Sequence, residues 1–111
     1  MMEVRTPEEF FEKQLPVRFK PEKAAGIDTI IQLSLSGGQK EQDWIVTIKN
    51  QKLQIDKGTN PSASLSLRIA ENDFLDIING KQNVEKAFFT GRIRFQGNIS
   101  VALKLRDAGI L

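Results

Sequence analysis

Four times between Gly26 and Ile69 the apolar residues fall on alternate positions, and a period of two commits these runs to strands with one buried face. In the first run Ile27, Ile31, Leu33 and Leu35 share one parity against Asp28, Gln32, Ser34 and Ser36, with Ile30 the exception. The second, Asp43 to Lys49, puts Trp44, Val46 and Ile48 on one face, and the third carries Leu53 and Ile55 as far as Lys57-Gly58. The fourth is the cleanest: Ala63, Leu65, Leu67 and Ile69 alternate with Ser62, Ser64, Ser66 and Arg68, a polar face expected to meet water. Gly37-Gly38-Gln39-Lys40 and Asn50-Gln51 are the turns that join the first three strands into an antiparallel meander, and Gly58-Thr59-Asn60-Pro61 is the loop before the fourth.

Helical spacing surrounds these runs. Thr6-Pro7-Glu8-Glu9 combines a capping hydroxyl, a proline at the first helical position and acids facing the positive helix end. Phe10, Phe11, Gln14 and Leu15 follow until Pro16, which is expected to interrupt the helix; Val17 and Phe19 resume the pattern, and Pro21 opens a short turn through Ala25. At Ala70 the period switches to that of a helix, with Phe74, Ile77 and Ile78 on one stripe, an expected span of Ala70 to Lys81 and a stop at Asn79-Gly80. A second helix carries Val84, Ala87 and Phe88 and ends at Gly91. Gly91 and Gly97 then bracket a fifth strand, Arg92 to Gln96, and Asn98 caps a closing helix in which Ile99, Ala102, Leu103 and Arg106 form the stripe with Leu105 on its flank. The expected fold class is therefore α+β: a five-stranded, mainly antiparallel sheet with helices packed on one face.

A chain of 111 residues is long enough for one core, so a single domain over 1–111 is expected. It contains neither cysteine nor histidine. Disulfides, thiolate nucleophiles and the usual zinc and haem ligand sets are thereby excluded, as is the most common general base at neutral pH. No metal and no cofactor is implied. Glu71, Asp73 and Asp76 lie on one helix turn, where such acids are ordinarily solvated charge, so no catalytic residue is assigned and the expectation is a protein that is not an enzyme. The apolar runs are too short to span a membrane, and the N-terminal residues offer no apolar stretch for a secretory signal. Residues 1–91 carry 12 basic and 13 acidic side chains, so the net charge of +2 comes from the C-terminal stretch, where Arg92, Arg94, Lys104 and Arg106 face only Asp107. These cations are either a solvated face or a patch that meets an anionic headgroup or membrane surface. Nucleic acid is not an expected partner: in Gly91-Arg92-Ile93-Arg94-Phe95 the Ile93 and Phe95 side chains share the buried parity, and there is no exposed aromatic pair for stacking bases.

The stretch Phe88 to Leu105 carries a resemblance beyond its periodicity. Phe88, Phe89, Gly91, Ile93, Phe95, Gly97, Asn98, Ala102, Lys104 and Leu105 resemble the phenylalanine-glycine turn, basic and apolar strand, Gly-Asn and Ala-x-Lys-Leu helix of sterol carrier protein type-2 domains. Trp44 in its Asp-Trp-Ile-Val-Thr-Ile strand and the helix with Phe74 and Gly80 stand in the order and spacing of that family, and the likeness covers roughly residues 7 to 108. The resemblance implies a sterol-carrier-like fold and the binding, with transfer, of a fatty acid, fatty acyl-CoA, sterol-like molecule or phospholipid in an apolar tunnel between sheet and helices. Its lining would then come from Phe10, Leu15, Phe19, Leu33, Leu35, Trp44, Val46, Phe74, Ile77, Ile78, Phe88, Ile93, Phe95 and Leu103, with Arg92, Arg94 and Lys104 as headgroup contacts. The mechanism would be burial, worth about 0.8 kcal/mol for each methylene removed from water.

The alternative in the sequence is a non-catalytic interaction module whose core is filled. The chain stops at Leu111, soon after the closing helix begins, where longer family members continue over the tunnel mouth. The tunnel is therefore expected to be more open, or to be covered by another part of the chain or by a second subunit in a homodimer. Without a Ser-Lys-Leu terminus, a cytoplasmic protein is expected, with acyl chains rather than sterol as ligand and transient membrane contact.

Overall fold

A computed structural model describes residues 3–38, 41–98, 100 and 104. Its helical arm starts as expected: Thr6 Oγ1 accepts a hydrogen bond from the Glu9 amide and opens α1 (Pro7–Glu9). Pro16 does not interrupt the arm. The backbone widens into a π turn, Phe10–Gln14, closed by the Leu15 amide on the Phe10 carbonyl, and continues as α2 (Leu15–Arg18). Pro16 thus falls in the first turn of α2, where no amide is needed, so the arm keeps its course through residue 18. A single 3₁₀ turn, Pro21–Lys23, leads to the sheet.

The five strands are β1 (Thr29–Ser36), β2 (Gln42–Lys49), β3 (Lys52–Lys57), β4 (Leu65–Ala70) and β5 (Ile93–Gly97), in the spatial order β3-β2-β1-β4-β5. The meander β1-β2-β3 is antiparallel, and so is β4 with β5, while β4 runs parallel to β1 in the middle of the sheet. Asn50 and Gln51 turn β2 into β3 with φ of 53° and 61°, the left-handed conformations of a tight hairpin turn built without glycine. The fourth strand is shorter than its alternation. Asn60 captures the Ser62 amide with its side chain (2.8 Å) and the Ala63 amide with its carbonyl (3.2 Å), so those residues belong to the preceding turn.

To reach β4, the chain leaving β3 must pass β2 and β1, and Gln32 holds it there. Gln32 sits on the sheet face opposite Ile31 and Leu33, yet it is only 8% exposed. Its Nε2 donates to the carbonyls of Trp44 (3.3 Å) and Gly58 (3.0 Å), and its Oε1 accepts from the Asn60 amide (2.8 Å). The crossing connection therefore lies on the face away from the helices. Part of the expected solvent face is covered by it, although Ser62 and Ser64 are exposed.

The remaining described helices are α3 (Glu71–Ile78) and α4 (Val84–Phe89). Asn83 caps α4, its Oδ1 accepting from the Lys86 amide. Asn79, at the end of α3, clasps the N-terminal segment: it accepts from the Val4 amide and donates to the Val4 carbonyl, both at 2.8 Å. Val4 is buried, so Asn79→Ala would strand a peptide group. A loss of about 1–3 kcal/mol is expected, measurable as a lower denaturation midpoint at unchanged slope. A second tie joins Lys81 to Glu3; this hydrogen bond, and then the charge of its partner, lowers the Glu3 pKa and raises that of Lys81. Of the expected closing helix, Asn98 accepts from the Ser100 amide as a cap and Lys104 is exposed; Ile99, Leu103 and the rest of its stripe lie outside the described residues.

Candidate functional site

The sheet register arranges the helix-facing side chains in rows. One row runs Trp44, Leu33, Leu67, Phe95 from β2 to β5, and the next runs Leu35, Ile69, Ile93. A third joins Ile55, Val46, Ile31 and Leu65 and ends at Gly97. Over the middle of these rows the helical arm presses its rings. Phe11 stacks on Trp44 at 4.5 Å and on Phe74 at 5.5 Å, while Phe10 meets Phe11 and Phe74 edge-on at 5.3 and 5.4 Å. Such geometry adds aromatic contact energy to plain area burial.

This centre is dry. Leu15 and Val46 are 0% exposed, and Phe10, Leu33, Leu35, Trp44 and Phe74 are also buried, so seven of the expected lining residues belong to a packed core. Phe19, Ile77, Ile78, Ile93 and Phe95 are only partly buried against it. Among the described residues of the expected set, Phe88 lies furthest out, at 37% exposure. Its ring meets those of Phe95 and Phe89 edge-on, at centroid separations of 6.0 and 5.8 Å. An apolar path therefore leads from buried Leu67 through Phe95 and Phe88 to Phe89 at the surface. Leu103 lies outside the described residues.

Among the described residues, two open grooves flank the arm. One, of about 670 Å³, has Phe11, Trp44, Leu53 and Ile55 among its walls, with Glu12, Asp56 and Lys57 at its edge, and the Lys57 ammonium sits 5.2 Å above the Trp44 ring. The other, of about 690 Å³, lies between Val17 and Arg18 on one side and Ile78 to Lys81 on the other. Both fall in the size range of ligand sites. The lining expected from sequence did not include Lys57. Alternation places Leu53 and Ile55 on the apolar face, but only the pairing shows that β3 is an edge strand beside the arm.

The expected headgroup cations divide. Arg94 pairs across the sheet with Arg68, on the face opposite Phe95, because strand residues alternate. Arg92 approaches Asp73 at 3.4 Å and remains largely exposed. Asp73 also accepts from Gln82 (3.1 Å), so this carboxylate joins α3 to the segments that follow it. Glu71, Asp73 and Asp76 are half-buried rather than fully exposed. Among the described residues, no group of three or more acids could hold a metal ion, and no helix is long and apolar enough to cross a membrane.

Solved structures share this architecture. A sec-alkylsulfatase, Pisa1 from Pseudomonas sp., matches with a TM-score of 0.76 at 24% identity over 94% of this chain and 16% of that one. Palmitated SCP2L2 from Aedes aegypti matches with a TM-score of 0.70 at 23% identity over 93% of both chains. At these identities the likeness is one of fold. Sequence takes the assignment further: the pattern of the SCP-2 sterol transfer family covers residues 11–108, and the chain belongs to that family. Sterol carrier protein 2 of Homo sapiens is 36% identical over 70 residues, which are 63% of this chain and 13% of that protein, so this chain spans a small part of that relative's length.

Proposed function

We propose that this chain is a lipid carrier, which takes up an acyl chain between the sheet and its helices and passes it on. The observation that carries the reading is the graded apolar path Leu67, Phe95, Phe88, continuous from the packed core to the surface. Membership of the SCP-2 sterol transfer family supports it, as does the palmitate on SCP2L2, a protein of the same fold. Fatty acid or fatty acyl-CoA is the favoured ligand class, with sterol-like molecules and phospholipids as further members. Because the contacts are apolar, affinity rises with acyl length by about 0.8 kcal/mol per buried methylene. The carrier is cytoplasmic, works as a single domain over residues 1–111 without chemistry of its own, and exchanges its ligand in transient contact with membranes.

The partly buried Phe95 and Phe88 mark where an acyl chain can enter, because the packed centre would have to open first. Native mass spectrometry of the freshly purified protein, followed by organic extraction, is expected to reveal bound fatty acid or acyl-CoA. Phe95→Trp is expected to weaken uptake of a fluorescent fatty acid by about fivefold while costing under about 1 kcal/mol, because the site has space for the larger ring.

A second reading rests on the packing itself. Phe10, Leu15 and Val46 leave no water-sized space beside them, as in an interaction module with a filled core. On that reading the purified protein has a clean apo mass, no fatty acid is displaced, and Phe95→Trp overpacks its site at a cost of about 1–3 kcal/mol.

A further inference from the structure

Among the described residues, two large apolar side chains stand almost wholly in water, Val17 at 86% exposure and Phe89 at 84%. Val17 stands on α2 at the second groove, and single exposed aliphatics are ordinary. Phe89 is different, because it continues into Phe88 and from there into Phe95, so the exposed ring is the outer end of an apolar path. It stands at the last residue of α4, where the chain turns: the Thr90 amide bonds to the Lys86 carbonyl, the Gly91 amide to that of Phe88 and the Arg92 amide to that of Ala87. This turn fixes the corner between α4 and β5, with Phe89 on it.

The charge of the same segment is one-sided. Residues 81–98 contain Lys81, Lys86, Arg92 and Arg94 but a single acid, Glu85, a net charge of +3 where the whole chain has +2. Lys86 precedes Phe89 by three residues, about one helical turn, and Arg92 follows it by three, after the turn. Both are exposed. Lys81 is engaged by Glu3 and Arg92 leans on Asp73 at 3.4 Å, which leaves the Arg92 side chain 57% exposed. An exposed aromatic ring flanked by cations complements a surface that offers apolar depth beneath negative charge.

We propose that the α4–β5 corner docks on anionic phospholipid membranes, with the Phe89 ring entering the interface and Lys86 and Arg92 facing the headgroups. This deepens the carrier reading and rests on it, since the docked ring would lie at the outer end of the Phe88–Phe95 path. The cations give selectivity for anionic lipid, each strengthening binding about fivefold near a charged surface. The ring supplies the salt-insensitive part.

The test is flotation of the full chain with vesicles of pure phosphatidylcholine and of phosphatidylcholine mixed with phosphatidylserine. Displacement of a fluorescent fatty acid in vesicle-free solution is measured beside it. Flotation with the mixed vesicles is expected, declining as salt is raised. Phe89→Ser is expected to weaken it about tenfold and Lys86→Gln about fivefold, with fatty-acid displacement unchanged in Lys86→Gln. Should Phe89→Ser fail to fold, the anionic selectivity and the Lys86→Gln result decide the matter. Equal flotation with both vesicle types, or a Phe89→Ser protein that floats like the parent, overturns the docking surface and leaves the carrier reading intact. Flotation that depends on Phe89 in a protein that displaces no fatty acid upholds the surface and sinks the carrier reading. If Phe89→Ser converts a dimer to a monomer without changing flotation, the ring is a subunit contact and membrane docking is overturned.

Discussion

Phe11→Ala is expected to cost about 3–5 kcal/mol, the range for emptying a fully buried aromatic site. The Phe11 ring joins the helical arm to the sheet and to α3 at once: it stacks on Trp44, on Phe74 and edge-on against Phe10, and is itself buried. Its removal leaves a void among rigid rings, which cannot collapse into it as flexible aliphatic chains would. A domain of this size commonly has about 5–15 kcal/mol of stability in all. Thermal or urea melts should therefore show a fall in Tm of more than about 10 °C. Trp44, the chain's single tryptophan and the stacking partner of Phe11, offers a local fluorescence readout of the same transition. The same truncation at Phe89, which is exposed, is the control and should change stability by less than about 0.5 kcal/mol. A Phe11→Ala protein as stable as its parent would mean that the arm does not hold this place on the sheet.

The second large effect concerns backbone rather than side chain. Gly97 ends β5 with φ of 126°, opposite Leu65, and a Cβ placed there would clash with the Ser64 carbonyl oxygen and lie 3.1 Å from the Leu65 Cα. Both obstacles are backbone, so no side chain can swing aside to relieve them. Gly97→Ala combines an unfavourable φ with a steric clash, and on the order of 3 kcal/mol of destabilisation is expected. The loss should be greatest at the β4–β5 pairing, where hydrogen exchange of the ladder amides would accelerate more than exchange in the β1–β2 hairpin. Uniform acceleration across the sheet would show instead that β5 does not open ahead of the rest.

These two residues also mark the boundary between local pattern and tertiary packing. Alternation identified the strands, and the parity of Trp44, Val46, Leu53, Ile55, Leu67 and Phe95 correctly gave one common buried face. The fold class followed from the order of strand and helix periods. Parity is blind to pairing, however: β4 would show the same pattern beside β3 as it does beside β1 in parallel. The place of Arg94 on the face opposite Phe95 is legible in the same alternation. Gln32 and Asn79 carried no signal, since an outward glutamine and an asparagine at a helix end read as ordinary surface residues, and their partners at Gly58, Asn60 and Val4 are remote in sequence. Pro16 signalled a break in a regular α-helix, and the chain bypassed it with one wider turn. The grooves beside the arm depend on where that arm crosses the sheet, which is a matter of packing rather than of local pattern.

The parallel placement of β4 beside β1 bears on the order in which the sheet is assembled. One side of β1 is satisfied by its neighbour in a hairpin, whereas the other waits for Leu65, which pairs with Ile31 only after β2, β3 and the connection held by Gln32 have been laid down. Closing such a separation costs chain entropy before any contact rewards it, so the β1–β4 seam is expected to form late. Leu67 and Phe95 lie on the late side of that seam. On the carrier reading, cargo held against them binds the finished sheet and not the early hairpins, so loading favours closure of the slowest join in the molecule.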